Sequence, residues 1–515
     1  MDAVAGSGLT ARGSRGAALG AVLGVLFLTF LDTTIVSVTL GDMETDIAAG
    51  VIPLQWVINA YALSFASLML VGGSLGDRFG RRRMMLIGVV VFCAGSLLCA
   101  LSDDVTAIII GRAVMGAGAA AAEPGTLSVI RQLYPDRGER ARALGAWSAI
   151  SGLALALGPV FGGLLVGAGD WRTVFWFNLA LGLALLAAVM RFVPESRDPD
   201  AGRLDVAGFL LATVGIGCVV YAAITGEYQG FGDELIVVLF VIGFACLVAF
   251  WPVESRVAAP MLDPDYVRPP IVRVALFAAF AVYFGVFAIF FLTALYLDVG
   301  LHYSGWKLAG VFAPMAGAIV IGGLAAGPWV ARAGARPPLV TGCGVAAVGM
   351  LLASVVVGHG VGVNFWLMAL ALALAGLGFG VTVVPLTSAV LSHVPGRHSG
   401  VAASMTNTAR QLGAVVGVAA LGAVVNVHLK DGVNDYLAGN PLGEFLKGGI
   451  VKILETGGTI GGFSLDNIPA AFVSAFVNGL QVALFAGAGL TALAALAAVL
   501  VREPAPLADE ADPEI

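Results

Sequence analysis

Long apolar runs recur along the whole of this 515-residue sequence, and they constrain its fold more than any other feature. A helix needs about 20 predominantly apolar residues to cross the hydrocarbon core of a bilayer. The runs have this length and contain few charges, so they predict an all-α integral membrane protein with about fourteen membrane-spanning helices. The centres of these spans lie near Thr29, Ser64, Phe92, Ala119, Ala154, Gly182, Gly215, Gly243, Phe284, Ala318, Ala347, Gly376, Gly413 and Ala488.

The composition argues against a water-soluble protein. Hydrophobic residues make up 59% of the chain and charged residues only 12%, whereas soluble domains carry about 25% charged residues. The five cysteines lie within apolar runs, which favours a packing role over a disulfide or a metal site. Basic and aromatic residues are not interleaved as on a nucleic-acid-binding surface, so we expect no nucleic-acid partner.

The basic residues are divided unequally between the two sides of the predicted membrane domain. With the N-terminus inside, 20 of the 27 Lys and Arg residues fall on the inner side and five on the outer side. Cytoplasmic loops of membrane proteins carry such an excess, so both termini are predicted to be cytoplasmic. A composition rich in Ala, Gly and Arg and poor in Lys is typical of a high-GC bacterium, whose cytoplasmic membrane would hold this multi-pass protein.

Two loops of the inner side repeat one pattern, the first after span two and the second after span ten. The matching residues are Arg78, Gly80, Arg82 and Gly88 in the first loop and Arg332, Gly334, Arg336 and Gly342 in the second. A repeated loop of this kind indicates two related helix bundles, an arrangement that is common in secondary transporters.

The first of these loops carries a dense motif. Residues 73–83 read GSLGDRFGRRR and resemble the G-x-L-x-D-R-x-G-R-R-R loop of the major facilitator superfamily. Glycines allow tight turns and close helix approach, and an aspartate can pair with a cation or with a helix N-terminus. The resemblance implies a conformational latch, although the arginines alone would also serve to keep the loop inside. Its residues are Gly73, Asp77, Arg78, Gly80 and Arg81.

A second pattern lies in span five. Gly145, Gly158, Pro159, Gly162 and Gly163 match the spacing of the antiporter motif found in drug exporters of this superfamily. Small residues let the helix pack closely, and a proline removes one backbone hydrogen bond and permits a bend. The resemblance implies antiport, and a plain packing face is the alternative.

Span one contains an acidic residue within its apolar run. Residues 31–40 resemble the L-D-x-T-I-V-N-V-A-L-P segment of the fourteen-span drug:proton antiporters, with Ser37 and Gly41 in place of asparagine and proline. A carboxylate inside a membrane is costly unless it is paired, wet or protonated. The resemblance implies that Asp32 couples protons to transport. An interfacial carboxylate near the outer mouth is the alternative.

Span four contains two further ionisable residues. Residues 112–120 resemble the R-x-x-Q-G-x-G-A-A motif of the same family, with Met115 in place of glutamine. We expect Arg112 to neutralise a neighbouring acid. Glu123 lies three helical turns further on, about 16 Å away on the same face. It is predicted to be a second proton or cation site, or else a structural partner of a basic residue near the inner end.

Polar residues also interrupt span thirteen, within residues 400–413, which look like the matching segment of this family. Asn407, Arg410 and Gln411 should face a central cavity or each other. Aromatic side chains could complete a loose, apolar substrate site there, although ordinary packing would account for them equally. The aromatic candidates are Tyr61, Trp147, Phe284, Phe287 and Tyr296.

The resemblance extends over almost the whole chain and implies the major facilitator fold, with two six-helix bundles and two inserted helices. Residues 428–478 form a long outer connection within the second bundle, either an ordered hairpin or a loose loop. The predicted parts are the N-terminus 1–17, the first bundle 18–193, the inserted helices 194–272, the second bundle 273–501 and the acidic tail 502–515.

The function implied by the resemblance is proton-coupled export of drug-like organic molecules or antibiotics, by alternating access, from the cytoplasm or the inner leaflet. A dedicated exporter of one endogenous metabolite, lipid or siderophore remains open, as does a sodium-coupled or facilitative importer. No nucleophile elbow or His and Cys constellation is present, so we expect no catalytic residues, no metal and no cofactor other than the coupling proton. The chain is expected to work as a monomer on small-molecule substrates in a lipid bilayer.

Overall fold

The computed structural model describes residues 3–47, 51–197, 205–257, 260–297, 301, 303, 305–358, 364–437 and 470–501. Within these ranges the chain is a series of α-helices joined by short turns, without β-strands. The helices are α1 Ala3–Ile35, α2 Leu40–Ile47, α3 Val51–Phe79, α4 Arg81–Leu101, α5 Val105–Leu133, α6 Arg137–Ala168, α7 Arg172–Phe192, α8 Val206–Gln229, α9 Glu234–Glu254, α10 Pro270–Leu295, α11 Gly305–Ala333, α12 Arg336–Gly358, α13 Phe365–Ser392, α14 Ser399–Leu437 and α15 Ala470–Leu500.

The number of membrane spans agrees with the sequence. In the described residues, 13 helices are long and apolar enough to cross a membrane, and 14 if the two halves of α6 form one span. These halves, Arg137–Leu155 and Val160–Ala168, are bent by 47° relative to each other. The predicted all-α membrane fold is therefore confirmed.

Aspartate side chains fix where several spans begin. Asp104 accepts a hydrogen bond from the N–H of Ala107 at 3.0 Å, at the start of α5. Asp136 accepts one from the N–H of Glu139 at 2.8 Å, at the start of α6. The first N–H groups of a helix have no partner within the helix, so these caps stabilise helix starts that lie near the edges of the membrane domain.

The spans form two six-helix bundles, the first built from α1 and α3–α7 and the second from α10–α15. The same helix pairs pack together in both bundles. The first span packs on the fifth and sixth, the second on the fourth, and the third on the fourth and sixth. The two repeated loops of the sequence thus belong to two bundles in which equivalent pairs of helices pack together.

These two loops also share their local geometry. Gly80 and Gly334 have φ angles of 111° and 78°, which side chains disfavour. Just beyond each glycine, an arginine reaches the last carbonyl groups of the sixth span of its own bundle. Arg82 donates to the carbonyl of Met190 in α7, and Arg336 Nε donates to the carbonyl of Ala498 in α15 at 3.2 Å. Cations are favourable at such helix ends because the exposed carbonyl groups are negative.

The bundles meet along two lines, where α3 packs on α14 and α6 packs on α11. The inserted helices α8 and α9 pack on each other, and α8 also contacts α3 and α14. They therefore lie beside one of the two lines where the bundles meet.

In the predicted outer connection, α14 continues to Leu437 and α15 begins at Ala470. Residues 438–469 lie outside the described residues, as does the tail 502–515.

Candidate functional site

Asp32 lies in the interior of the first bundle and is completely buried. Its Oδ2 accepts a hydrogen bond from Arg112 Nη1 of α5 at 2.5 Å. Its Oδ1 accepts one from Asn178 Nδ2 of α7 at 2.7 Å. A buried carboxylate is tolerated when a cation pairs with it and its other oxygen is hydrogen-bonded. Both oxygens of Asp32 meet this condition, which suits the ionised form.

Arg112 is held on several sides at once. Its Nε donates to the carbonyl of Val57 at 2.9 Å, and its Nη1 lies 3.8 Å from the sulfur of Met115, a weak acceptor. Its guanidinium carbon lies 4.5 Å from the ring centroid of Tyr61, within the range of a cation–π contact. Tyr61 in turn donates from its hydroxyl to the carbonyl of Thr29 at 3.0 Å. The cluster thus joins α1, α3, α5 and α7.

Glu123 is the second buried acid of the first bundle, with 1% of its surface exposed. Its Oε2 has no hydrogen-bond donor in the described part of the chain. The charged group that acts on it is Arg410 of α14, which belongs to the second bundle. Because α5 packs on α14, Glu123 lies where the charge of Arg410 from the second bundle reaches it, and Tyr61 of the Asp32 cluster is also within range of the Glu123 charge.

Arg410 is buried in that space and is held by neutral partners. Its Nη1 donates to Asn407 Oδ1 at 2.9 Å, and its Nη2 donates to Thr387 Oγ1 at 2.6 Å. The guanidinium carbon lies 4.9 Å from the ring centroid of Trp147 and 5.7 Å from that of Tyr283. Its Nε has no acceptor among the described residues. Because Trp147 lies on α6 of the first bundle, Arg410 connects the two bundles.

The other predicted cavity residues are more dispersed. Phe287 stacks on Tyr283 with ring centroids 5.5 Å apart, so it lies beside the Arg410 cluster. The backbone of Phe284 approaches Gly417 of α14 closely, and its ring packs on Phe280 with centroids 5.9 Å apart. Tyr296 stacks on Phe476 of α15. Gln411 follows Arg410 in α14 and is half-buried. The predicted set is thus distributed over several places, with Tyr61 in the Asp32 cluster.

A second contact joins the bundles at the predicted inner side, and we call it the inner latch (Asp77, Arg81 and residues 396–401, which lead into α14). Asp77 accepts hydrogen bonds from the N–H groups of Gly400 at 2.9 Å and Val401 at 3.0 Å. Arg81 Nη2 lies 2.8 Å from Asp77 Oδ1. The same nitrogen donates to the carbonyl groups of Gly396 at 3.0 Å and Arg397 at 2.9 Å. One ion pair of the first bundle therefore binds both the N–H groups and the carbonyl groups at the start of α14.

The remaining predicted latch residues lie around this contact. A Cβ atom on Gly73 would overlap the backbone of α14 and the Ser404 hydroxyl, so only glycine allows this crossing. Gly80 forms the turn between α3 and α4 through its positive φ angle. Arg78 lies over the ring of Phe79, with its guanidinium carbon 5.3 Å from the centroid, and does not contact α14 through any described hydrogen bond.

The predicted antiporter motif lies along α6. A Cβ atom on Gly145 would lie 2.9 Å from the carbonyl oxygen of Gly323 in α11, so the two bundles approach closely there. A Cβ on Gly158 would overlap Thr34 of α1. Pro159 falls at the 47° bend of α6. Gly162 is buried and Gly163 is exposed, with open space around the latter.

Several residues of these sites were not identified from the sequence. Asn178 and Thr387 bind the two buried charges, and a polar residue inside an apolar run was the available signal. Glu195 accepts hydrogen bonds from the N–H groups of Arg82 and Arg83 at the start of α4. Arg131 donates from Nη1 to the carbonyl groups of Leu391 and Val394 at 2.6 and 2.8 Å, which ties α5 to the end of α13. Glu195 follows α7 and Arg131 lies in the last turn of α5, and both are near other charged residues, where no sequence pattern distinguishes them.

No group of three or more His, Cys, Asp or Glu side chains in the described ranges is arranged to hold a metal ion. These sites place buried carboxyl groups near buried arginines and join the two bundles through hydrogen bonds. Two related helix bundles are common in secondary transporters.

Comparisons with known proteins agree with a membrane transporter. The Major Facilitator Superfamily profile matches residues 22–418. The chain is 31% identical to the multidrug resistance protein Stp of Mycobacterium tuberculosis, over 92% of this chain and 89% of Stp. It is 33% identical to the puromycin resistance protein pur8 of Streptomyces alboniger, over 95% of this chain and 92% of pur8. The fold matches the crystal structure of the human organic anion transporter MFSD10 with a TM-score of 0.62 and 14% identity, over 94% of this chain and 99% of that one. With 13 or 14 candidate spans in its described residues, two bundles and a matched profile, this chain belongs to the Major Facilitator Superfamily of membrane transporters.

Proposed function

We propose that this protein exports drug-like organic molecules or antibiotics from the cytoplasm or the inner leaflet in exchange for protons. The names of the relatives Stp and pur8 support drug or antibiotic export. The charge distribution of the loops supports a bacterial cytoplasmic membrane with both termini inside. The inner latch supports alternating access, because it closes one side and can be broken without unfolding either bundle.

The proposal of proton coupling rests on one observation, the contrast between two buried acids of the first bundle, Asp32 and Glu123. Asp32 has a donor on each oxygen, from Arg112 and Asn178, which stabilises the carboxylate. Glu123 has a buried oxygen without a donor. An ionised carboxylate with an unsatisfied oxygen is costly inside a membrane protein, and protonation removes this cost. In this conformation Asp32 is therefore the ionised acid and Glu123 the one that holds a proton.

The exchange of substrate for a proton follows from the position of Glu123, which lies near the second bundle. A cationic substrate that binds beside it, against the rings of Trp147 and Tyr283, would favour the carboxylate and displace the proton. Arg410 limits this competition because its positive charge also favours the carboxylate. Inward proton movement then supplies the driving force, of which the membrane potential contributes about 2.3 kcal/mol per charge for each 100 mV.

The test uses purified protein in liposomes with an imposed proton gradient and a panel of cationic dyes and antibiotics. Substrate-driven proton flux is compared in wild type, Asp32→Asn, Glu123→Gln and Glu44→Gln. Glu44 is an exposed carboxylate on the predicted outer side and serves as the control. We expect flux in wild type and Glu44→Gln. Glu123→Gln should keep substrate binding and lose proton flux, and Asp32→Asn should lose both transport and flux.

Two results would overturn parts of this proposal. Drug transport by wild type that continues unchanged after an ionophore collapses the proton gradient would exclude proton coupling. Proton-coupled transport restricted to one natural product, with no response to the rest of the panel, would replace broad drug export by the dedicated exporter.

A further inference from the structure

The inserted helices hold a second pair of buried acids, which the proposed transport cycle does not use. Asp205 immediately precedes α8, and Glu254 is the last residue of α9. Only 8% of Asp205 and 1% of Glu254 is exposed. Because α8 and α9 run antiparallel, both acids lie at the same end of the helix pair, which is the predicted inner side.

Each carboxyl group has one oxygen with a donor and one without. Asp205 Oδ1 accepts a hydrogen bond from the N–H of Gly208 at 2.8 Å, which caps α8. Glu254 Oε2 accepts one from the N–H of Leu262 at 3.1 Å, in the segment that leads to α10. Asp205 Oδ2 and Glu254 Oε1 have no donor within the described ranges. The two unsatisfied atoms are therefore one oxygen from each acid.

These two oxygens converge on the same point. A Cβ atom on Gly208 would lie 2.6 Å from Asp205 Oδ2 and closer still to Glu254 Oε1. Glycine at this position leaves the room in which the two oxygens meet. Two facing carboxylates repel when both are ionised, whereas one shared proton converts the contact into a charge-assisted O–H···O⁻ bond.

No described counter-charge takes the place of that proton. Asp205 is the ionisable side chain that acts electrostatically on Glu254. Asp77 is bound by Arg81, and Arg268 pairs with Asp265 at 2.8 Å. The described charged or titratable side chains on the neighbouring elements near this end include Asp77 and Arg78 of α3, Arg256, Asp263, Asp265, Tyr266 and Arg268 of the following segment, and Arg397 and His398 before α14.

We propose that Asp205 and Glu254 form a binding site for a single proton on the inner side of the inserted helices. With the proton bound, the pair has one negative charge and an internal hydrogen bond. When the proton leaves to the inner solution, the pair has two negative charges that repel each other. This inference does not depend on which molecule the protein transports.

The site is linked to the inner latch through residues 260–268, which we call the inner strap. Glu254 holds the strap through the N–H of Leu262. Further along the strap, the hydroxyl of Tyr266 and Nδ1 of His398 are hydrogen-bonded. His398 is the last residue of the turn 396–398, and Arg81 donates hydrogen bonds to the carbonyl groups of Gly396 and Arg397 in that turn. Loss of the proton should push Glu254 away from Asp205, free the strap and loosen its contact with the start of α14.

The first measurement is amide hydrogen exchange of the inner strap in the purified full-length protein, from about pH 5 to about pH 9, corrected for intrinsic exchange. In wild type, we expect strap exchange to be faster at the alkaline end by about tenfold or more. Glu254→Gln should remove this dependence, because its amide can donate to Asp205 Oδ2 at any pH. Asp233→Asn is the matched control, an aspartate that caps α9 at the other end and is exposed, and it should behave like wild type.

A second measurement detects the proton itself. The infrared carbonyl band of a protonated carboxylic acid is recorded in the Asp32→Asn/Glu123→Gln background, which removes the other buried acids of the transport proposal. We expect a band that is lost on raising the pH, and that is absent at every pH when either Glu254→Gln or Asp205→Asn is added. This readout stays decisive if a variant alters the packing of the strap.

Three outcomes would overturn the proposal. One is strap exchange that is independent of pH in wild type. Another is a pH dependence that persists in Glu254→Gln but disappears in His398→Asn, which would assign it to the histidine. The third is protection that depends on added sodium or calcium rather than on pH, since a metal cation would then occupy the pair. Failure of drug transport in the liposome assay would affect none of these readouts.

Discussion

Asp77 Oδ1 accepts a hydrogen bond from the N–H of Gly400 at 2.9 Å, although 323 positions separate the two residues along the chain. The bond uses one of the first N–H groups of α14, where the helix dipole is positive. This carboxylate therefore joins the second bundle to the first on the predicted inner side, together with the contacts of Arg81 and Arg131. The second inner loop has Ala331 at the equivalent position, so the repeat supplies no matching carboxylate.

We expect Asp77→Asn to shift the protein toward conformations that are open on the inner side. The amide removes the negative charge from the ion pair with Arg81 and from the start of α14, which should lower the ratio of closed to open molecules by about tenfold. Spin labels at the exposed positions Gln132 and Arg332 would report the distance between α5 and α11.

Asp104→Asn is the control, because Asp104 also caps a helix but has no hydrogen bond to the second bundle among the described residues. It should leave the distance distribution unchanged. Identical distributions for Asp77→Asn and wild type would contradict a role of the ion pair in closure.

Gly73 and Gly76 of α3 provide a matched pair of substitutions. A Cβ on Gly73 would overlap α14 and Ser404, whereas a Cβ on Gly76 would meet nothing within 4 Å. Gly73→Ala should open the crossing and reduce transport strongly. Gly76→Ala should keep transport and stabilise the helix by up to about 1 kcal/mol. Thermal unfolding and a transport assay on both variants check this, and equal effects of the two would argue against close packing at Gly73.

The ion pair of Asp32 and Arg112 should show strong coupling in a double-mutant cycle. Asp32→Asn leaves a buried arginine without its counter-charge, which costs about 3 kcal/mol of unfolding free energy. Combining it with Arg112→Gln should recover much of that loss, because no unpaired charge then remains. Unfolding of the four proteins in one detergent measures the coupling. Additive losses would show that the two charges do not stabilise each other.

On the outer side, Asp46 of α2 should act as an acid-sensitive contact. Hydrogen bonds from the Trp171 indole at 3.0 Å and from Arg172 at 2.7 Å lower the pKa of the Asp46 carboxyl below its ordinary value of 3.8. A lowered pKa in the folded state means that the contact stabilises the protein above the ordinary pKa and is lost as pH falls through the lowered value. The indole N–H resonance of Trp171 should therefore shift only below about pH 4.

Two variants check this assignment. Asp46→Asn should remove the acid transition of Trp171, and Glu44→Gln, an exposed neighbour, should retain it. A transition that is unchanged in Asp46→Asn would have to come from another carboxyl group.

The fold could be predicted from the sequence because membrane spans depend on length and hydrophobicity, both of which are local. The repeated loops carried further information, since Gly80 and Gly334 occupy equivalent turns and both have positive φ angles. Arg82 and Arg336 likewise bind the ends of equivalent helices. A pattern that is encoded twice in one chain thus predicted how two bundles are built.

The partners of the charged residues could not be predicted, because they depend on contacts between distant helices. The sequence pointed to Asp32 and Arg112, but nothing in it connected them to Asn178 of α7. The pair of Asp205 and Glu254 was less visible still. Each residue stands at a helix end, where acids are common and usually solvated, so only the folded chain shows that they are buried together.

The position of Trp147 has a practical consequence. Its indole donates to Thr126 within the first bundle at 3.0 Å, while the guanidinium of Arg410 from the second bundle lies 4.9 Å from its ring. A nearby cation alters the emission of an indole, and this cation moves with the opposite half of the molecule. The difference in fluorescence between wild type and Trp147→Phe is the emission of Trp147. This emission should report the separation of the two bundles in the unlabelled protein.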